Sequence, residues 1–353
     1  VEIIVKLLTK EHFGYIIYHK VIVNNSTNFT ERRNAKMANR RVALVGCGMV
    51  GMSYAYALLN SDLCNELILI DVNEDKAKGE AMDLNHGLCF SSSHMKIRAG
   101  SYEDCAYADL VVITASAGSR KPGETRFDQL NKNVAIFKSF VSKIVASGFN
   151  GIFLVASNPV DVMTRVTYEL SGFPANRVIG SGTTLDTARL RYLIGDYFHC
   201  DPHSVHGYVI GEHGDSEFVP FSQLNLSTMN IEELIETDKF STELKREDID
   251  DIIEKVKNSG AEVIKLKGAT YYGIGMSLVR ITKAIFGDEN SVITVSSRLN
   301  GEYGMRDVYL GLPAYVNRNG VRKILPLNLT DEEIEKLNNS YQILKDSFDS
   351  LYR

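Results

Sequence analysis

The sequence predicts an α/β protein: a doubly wound parallel sheet in the N-terminal lobe, followed by an α+β second lobe. Two observations predict it. Beyond Arg40, short apolar runs alternate with segments of helical periodicity, as parallel strands joined by crossover helices do. A glycine-rich turn, Gly46-Cys47-Gly48-Met49-Val50-Gly51, stands between the first strand and the first helix.

The elements follow in order. RVALVG (41–46) reads as a buried strand, residues 49–60 as a helix and ELILID (66–71) as the next strand. A helix over 74–85, a short strand near 95–99 and DLVVITA (109–115) continue the alternation. Helix 127–147, strand 151–157 and helix 160–170 complete one lobe. The second half is less regular: HGYVIGEHG (206–214) reads as strand then loop, and 248–268 and 271–286 as helices. Residues 292–299, 307–316 and 321–327 read as antiparallel strands. Thr330 caps a last helix whose apolar stripe is Ile334, Leu337, Tyr341, Leu344, Phe348 and Leu351. The domains are expected at 37–180 and 181–353. Residues 1–36 read as an extension outside both, with Met37 as the natural start.

Composition narrows the function classes. With 353 residues, 44% hydrophobic and 24% charged, the chain is long enough for two lobes and too apolar for disorder. No apolar run reaches the ~18 residues that span a bilayer. A formal charge of −5 carries no electrostatic footprint for nucleic acid or anionic lipid. The five cysteines (47, 64, 89, 105 and 200) include no C-x-x-C, so neither a disulfide framework nor a zinc site is indicated. They read as buried structural thiols in a reducing cytoplasm.

In the glycine turn, Gly46 permits the tight bend, Gly48 lets backbone approach a pyrophosphate, and Gly51 lets the helix pack on the strand. The helix start supplies free N–H groups and the positive end of a dipole. Asp71 ends the second strand 20 residues after Gly51, placed to accept from both ribose hydroxyls and to repel a 2′-phosphate. The expected cofactor is therefore NAD rather than NADP.

Three segments carry candidate chemistry. Arg120 to Arg126 (RKPGETR) reads as a cationic loop over a cleft. Asp186 and Arg189 share one face of a helix that opens at GTTLDTAR. His213 lies between glycines in GEHGD. Oxidising a secondary alcohol by hydride transfer needs a base in the histidine range, an acid partner to fix its tautomer, and a cation for the developing alkoxide. His213, Asp186 and Arg126 fit those roles, and the guanidinium of Arg189 fits a substrate carboxylate. A nucleotide-binding protein without catalysis would be expected to lack one of these four, and all are present.

From Arg40 to about Leu351 the sequence resembles the L-lactate/malate dehydrogenase family, most closely its bacterial L-lactate dehydrogenases. GCGMVG, LIDV, KPGETR, ASNPVDVMT, GSGTTLDTARLR, VHGYVIGEHGDS and KGATYYGIGMS carry the resemblance. It implies a Rossmann cofactor lobe, a substrate lobe and reversible hydride transfer between NADH and pyruvate in fermentative glycolysis. It further implies His213 as acid/base, Asp186 as its partner, Arg126 as carbonyl-polarising lid residue and Arg189 as carboxylate clamp. Asn158 would hydrogen-bond the substrate oxygen, with Thr270 beside the substrate and Ile274 against the nicotinamide. Val50, Asp71, Lys76, Tyr102, Ser116, Ala117, Ser139, Ser157 and Ser181 would join the three glycines in lining the NAD site. Arg191 and His206 match positions that bind fructose 1,6-bisphosphate at a subunit interface of the homotetramer in similar enzymes. No metal is implied.

The lid departs from the family pattern. Six residues before Arg126 stands Arg120, where lactate dehydrogenases typically carry Gln and malate dehydrogenases Arg. An arginine there would pair with the second carboxylate of oxaloacetate, making malate dehydrogenase the alternative activity. The TASAGS segment (114–119) is one residue longer than usual, however. Counting forward from Thr114 puts Ser119 at the discriminating position instead.

Overall fold

Buried aliphatic runs build the parallel half of the molecule. Its strands are β1 (Arg41–Val45), β2 (Glu66–Ile70), β3 (Lys96–Ala99), β4 (Leu110–Ile113), β5 (Ile152–Val155) and β6 (Val178–Gly180). They lie in the order β6-β5-β4-β1-β2-β3, all parallel. Between them run α1 (Met49–Leu59), α2 (Glu74–Gly87), α3 (Arg126–Ala146) and α4 (Val160–Ser171). Val42 to Leu44 and Leu110 to Ile113 are wholly buried, as expected of strands covered on both faces. Each such side chain contributes roughly 1.5–3 kcal/mol of burial. The chain order reverses between β1 and β4, the switch point at which doubly wound sheets form a ligand crevice at the carboxyl ends of their strands.

The structure, a computed structural model, describes residues 40–118, 123, 125–237 and 245–352. The extension 1–36, Met37, Ser119 and Arg120 lie outside the described residues. From Arg41 onward the described residues form one compact unit.

The second half contributes α5 (Thr184–Tyr197), then a small sheet of β7 (Val205–His206), β8 (Asn225–Leu226) and β9 (Met229–Asn230). Helices α6 (Ile231–Thr237), α7 (Arg246–Lys267) and α8 (Tyr272–Gly287) follow. Strands β10 (Ser291–Asn300), β11 (Arg306–Asn317) and β12 (Gly320–Ile324) precede the last helix, α9 (Asp331–Asp349).

These last strands pair antiparallel, as expected, but they do not form a sheet of their own. β10 pairs with β6 at Ser296 and Gly180, so one nine-stranded sheet runs through both halves. Gly180 makes the junction possible, because a Cβ there would meet Ser296 Cβ at 2.7 Å. Two further expectations are corrected. Regular strand in HGYVIGEHG is limited to its first residue, His206 of β7, and beyond that Ile210 and Gly211 make only isolated bridges. Cys47, Cys64 and Cys105 are buried, whereas Cys89 is exposed and Cys200 half-buried; none is bonded to another. Cys89 sits in a 3-10 turn after α2, which leaves its thiol at the surface.

Candidate active site

The crevice is stitched together at the strand ends. Gly46 adopts φ +105°, and a side chain there would strike the Ala115 backbone at 2.6 Å. Gly51 approaches so closely that a Cβ would lie 2.0 Å from the Gly46 carbonyl. Gly48, the N-cap of α1, faces open space, with no protein atom within 4 Å of a notional Cβ. The start of α1 has no side-chain cap and no acid in its first turn. Helices α2, α3 and α9, by contrast, begin with a capping Asn or Thr and carry acids in the first turn. An open glycine cradle at an uncapped, acid-free helix start fits a dinucleotide pyrophosphate.

Around that cradle, Asp71 accepts from Cys47 N (2.8 Å) and Asn73 N (2.9 Å), which orients its carboxylate at the tip of β2. Lys76 is exposed in the first turn of α2, and Val50 is half-buried. Tyr102 stacks on Phe140 of α3 with ring centroids 5.9 Å apart, and Ser139 is exposed beside it in sequence. Thr114 Oγ1 donates to the Gly46 carbonyl (2.7 Å) and Ser157 Oγ to the Ala115 carbonyl (2.6 Å). Ser157 and Ser181 are both buried, and the Ser181 backbone N–H donates to the Val155 carbonyl at 2.8 Å. Ser116 and Ala117 are exposed at its rim.

Sequence reasoning missed Asn133, a buried residue of α3. Its Oδ1 accepts from Ala117 N (2.7 Å) and its Nδ2 donates to the Asn158 carbonyl (2.8 Å), tying the segment after β4 to the exposed Asn158 turn. An amide inside an otherwise apolar helix face was the available signal.

The polar cluster comes from the second half. Asp186 is 1% exposed on α5. Its Oδ2 lies 2.7 Å from His213 Nδ1, and its Oδ1 accepts from Arg189 Nη1 at 2.8 Å. His213 is held from three sides. Gly211 and Gly311 exchange backbone hydrogen bonds of 2.9 Å, pinning the loop to β11. The His213 N–H donates to Asp161 Oδ2 at 2.8 Å. Asp161, buried on α4 three residues beyond Asn158, was not singled out in advance, although an acid within VDVM breaks an apolar run. Glu217 Oε2 is 3.8 Å from the same Nδ1.

Burial, the largest single influence on the imidazole, disfavours its charged form. The charge and hydrogen bond of Asp186 outweigh it and push His213 up to about 9. Burial likewise opposes ionisation of Asp186, but His213 and Arg189 hold its carboxyl below the usual range. Nδ1 is engaged with Asp186, so Nε2 is the ring nitrogen left for a reacting group, on a side chain that is 25% exposed.

Arg189 lies against α7, where Gly260 leaves room: a Cβ there would sit 3.6 Å from the guanidinium. Thr270 and Ile274 stand at the start of α8, whose Gly273 packs on Leu185 beside Asp186. Arg126 opens α3 directly after the Thr125 cap. Arg191 Nη2 reaches the Gly207 carbonyl (3.4 Å), beside exposed His206, so these two are neighbours away from the histidine cluster.

A dinucleotide cradle beside a buried carboxylate–imidazole pair defines a nicotinamide-dependent dehydrogenase of small hydroxy acids. The comparisons agree. Residues 40–180 match the lactate/malate dehydrogenase NAD-binding domain, and residues 183–352 match the alpha/beta C-terminal domain of the same family. The chain belongs to the lactate/malate dehydrogenase family, and its cofactor is NAD.

It is 52% identical over 312 residues to L-lactate dehydrogenase 1 of Bacillus cereus and to L-lactate dehydrogenase 2 of Bacillus anthracis, covering 88% of this chain and 98% of theirs. Among solved structures, a lactate dehydrogenase from a Medee basin deep-sea metagenome library superposes with a TM-score of 0.87 at 51% identity, covering 90% of this chain and 100% of that one. The ligand-bound minor L-lactate dehydrogenase of Enterococcus mundtii gives 0.86 at 47% identity, over 88% and 98%.

Proposed function

We propose that the chain is an L-lactate dehydrogenase that interconverts pyruvate and L-lactate in the cytoplasm, as a step of fermentative glycolysis. The observation that carries this reading is the 2.7 Å contact between His213 Nδ1 and buried Asp186, with Arg189 bound to the same carboxylate. Bound NAD(H) supplies the site that takes or gives the hydride. In pyruvate reduction, His213 gives its Nε2 proton to the carbonyl oxygen as that oxygen becomes a hydroxyl. Asp186 fixes the ring and balances the imidazolium, which is the form present at neutral pH for a group pushed up to about 9. Arg126 and Asn158 stabilise the developing alkoxide. Arg189 holds the carboxylate through N–H groups not engaged by Asp186. Thr270 and Ile274 form the wall beside the methyl group and the nicotinamide. In lactate oxidation the same residues act in reverse, with neutral His213 taking the hydroxyl proton.

Residues 37–180 then serve as the cofactor domain and 181–353 as the substrate domain. Large apolar side chains are exposed on α1, α5, α7 and α8, among them Met49, Tyr56, Tyr192, Leu266, Tyr272 and Met276. Such a surface supports a homo-oligomer, read here as a homotetramer. Arg191 and His206 are read as the fructose 1,6-bisphosphate site. No helix among the described residues is long and apolar enough to cross a membrane.

The test is kcat/KM for pyruvate and for oxaloacetate with NADH, with and without fructose 1,6-bisphosphate. A pyruvate preference supports the proposal. An oxaloacetate preference means that Arg120 reads the second carboxylate, and replaces lactate by malate.

A further inference from the structure

Glu217 has no part in the chemistry above, yet it belongs to the same cluster. It lies four residues beyond His213 and is 4% exposed. Its Oε2 is 3.8 Å from His213 Nδ1, and one ligand atom from each of Glu217, Asp186 and His213 lies within 4.8 Å of the other two. On its inner side Val209, Phe218, Val219, Ile253 and Val256 line a small space with it, and Lys257 shares that lining. Two carboxylates this close in so dry a place cannot both be charged without a large Coulombic cost.

The other charges facing the cluster are Arg189 on α5, Asp161 on α4 and Glu212 on the histidine loop. On its outer side Glu217 borders a cavity of about 640 Å³ whose charges are mixed in sign: Arg246, Lys257 and Lys336 against Asp215, Glu232, Asp250, Glu332 and Glu335. Glu333, also on that wall, is committed to Ser222. Among the described residues, no cation of that wall comes within ion-pair distance of Glu217, whose one such contact is His213.

We propose that Glu217 keeps its proton at neutral pH and shares it with Asp186, a positioning residue that trims the charge this carboxylate presents to His213. The idea rests on His213 being the acid/base of the reaction. Burial first, and Asp186 second, push the Glu217 carboxyl up to about 9, the direction that retention of a proton requires. With that proton in place, the charge of Asp186 is divided between a neutral donor and the imidazolium. His213 can then release its proton during lactate oxidation. Without it, Asp186 binds the imidazolium alone and holds the proton more tightly.

Glu217→Gln and Glu217→Ala test this, each with the pH profile of lactate oxidation, kcat and KM taken separately, and infrared difference spectra. Glutamine still donates to Asp186 and carries no charge. Its profile is expected within ~0.3 unit of wild type, with the carbonyl band of a protonated carboxyl, present in wild type at pH 7, missing from the variant. Alanine removes the donor. Its midpoint is expected to rise by about one unit, a tenfold tighter hold on the His213 proton, with kcat falling and KM for NAD unchanged. No carboxylic acid band in wild type at neutral pH would overturn the proposal. So would a midpoint that falls by about a unit in Glu217→Gln, the mark of an ionised glutamate supporting the imidazolium. If Glu217→Ala does not fold, the wild type against Glu217→Gln spectrum decides alone. His213→Ala separates the two ideas: near-normal turnover there removes the acid/base role, whereas the band reports on Glu217 whatever His213 does.

Discussion

Replacing Asp186 by Asn removes one charge from the cluster and changes almost nothing in volume. The imidazole of His213 stands about 2.5 units above its ordinary 6.5, a difference of about 3 kcal/mol at 1.36 kcal/mol per unit. Asp186 supplies the largest upward contribution through charge and hydrogen bond, and burial works against it. Once Asp186 is neutral, burial meets little opposition, so the histidine falls to its ordinary 6.5 or below. At pH 7 about 99% of the wild-type imidazole is protonated, whereas at 6.5 or below the share is ~25% or less. The amide can also turn its NH2 to Nδ1 and select the wrong tautomer, a change that lowers acid–base catalysis by ~10²–10⁴. The assay is kcat/KM for pyruvate from pH 5 to 10, with NADH affinity by fluorescence as the control. Asp186→Asn should lower kcat/KM at least ~100-fold at pH 7, shift the midpoint toward acid and leave NADH affinity within twofold. A midpoint that stays where the wild type has it would refute the assignment of the His213 shift to Asp186.

Three other outcomes follow from the same geometry. Arg189→Lys should raise KM for pyruvate ~30-fold or more with NADH binding unchanged, because an ammonium cannot make two parallel bonds to a carboxylate. Gly48→Ala should leave Tm alone but weaken NADH binding about tenfold, whereas Gly51→Ala, whose Cβ would meet the Gly46 carbonyl at 2.0 Å, should cost ~1–3 kcal/mol in stability by denaturant melts. Stability should fall as pH rises from 6.5 to 9. The raised His213 contributes fully below 6.5 and loses that contribution through about 9. Glu217, also raised, keeps a proton that the unfolded chain has released above about 4.5. Glu217→Gln should flatten the fall in Tm, and an equally steep fall in both proteins would exclude Glu217 as a contributor.

The parallel half was legible because buried strands declare themselves as unbroken aliphatic runs. Expected limits of 41–46 and 49–60 differ from β1 and α1 by a residue. The small sheet of β7 to β9 was not legible, since strands two residues long have no period. Nor was the union of β10 with β6: periodicity reports which face of a strand is buried, not which strand lies beside it. At the site, His213, Asp186 and Arg189 could be named from the chemistry of their residue types. Their convergence depended on the Gly211–Gly311 bridge, a contact between residues 100 apart. Asn133 and Asp161 escaped because each is a polar residue in apolar company whose partner is distant in sequence, and Glu217 because it follows Asp215 and Ser216 in a polar loop.

The nine-stranded sheet also accounts for how two lobes make one site. The cofactor cradle follows β1, the Ala117 rim follows β4, Asn158 follows β5 and the Asp186 helix follows β6. All four therefore issue from the same edge of adjacent strands. The histidine loop arrives from elsewhere and is clamped to β11, a strand of that same sheet. The glycine turn and the Asp186 helix thus start from strands three places apart in one sheet, at about 4.8 Å per strand.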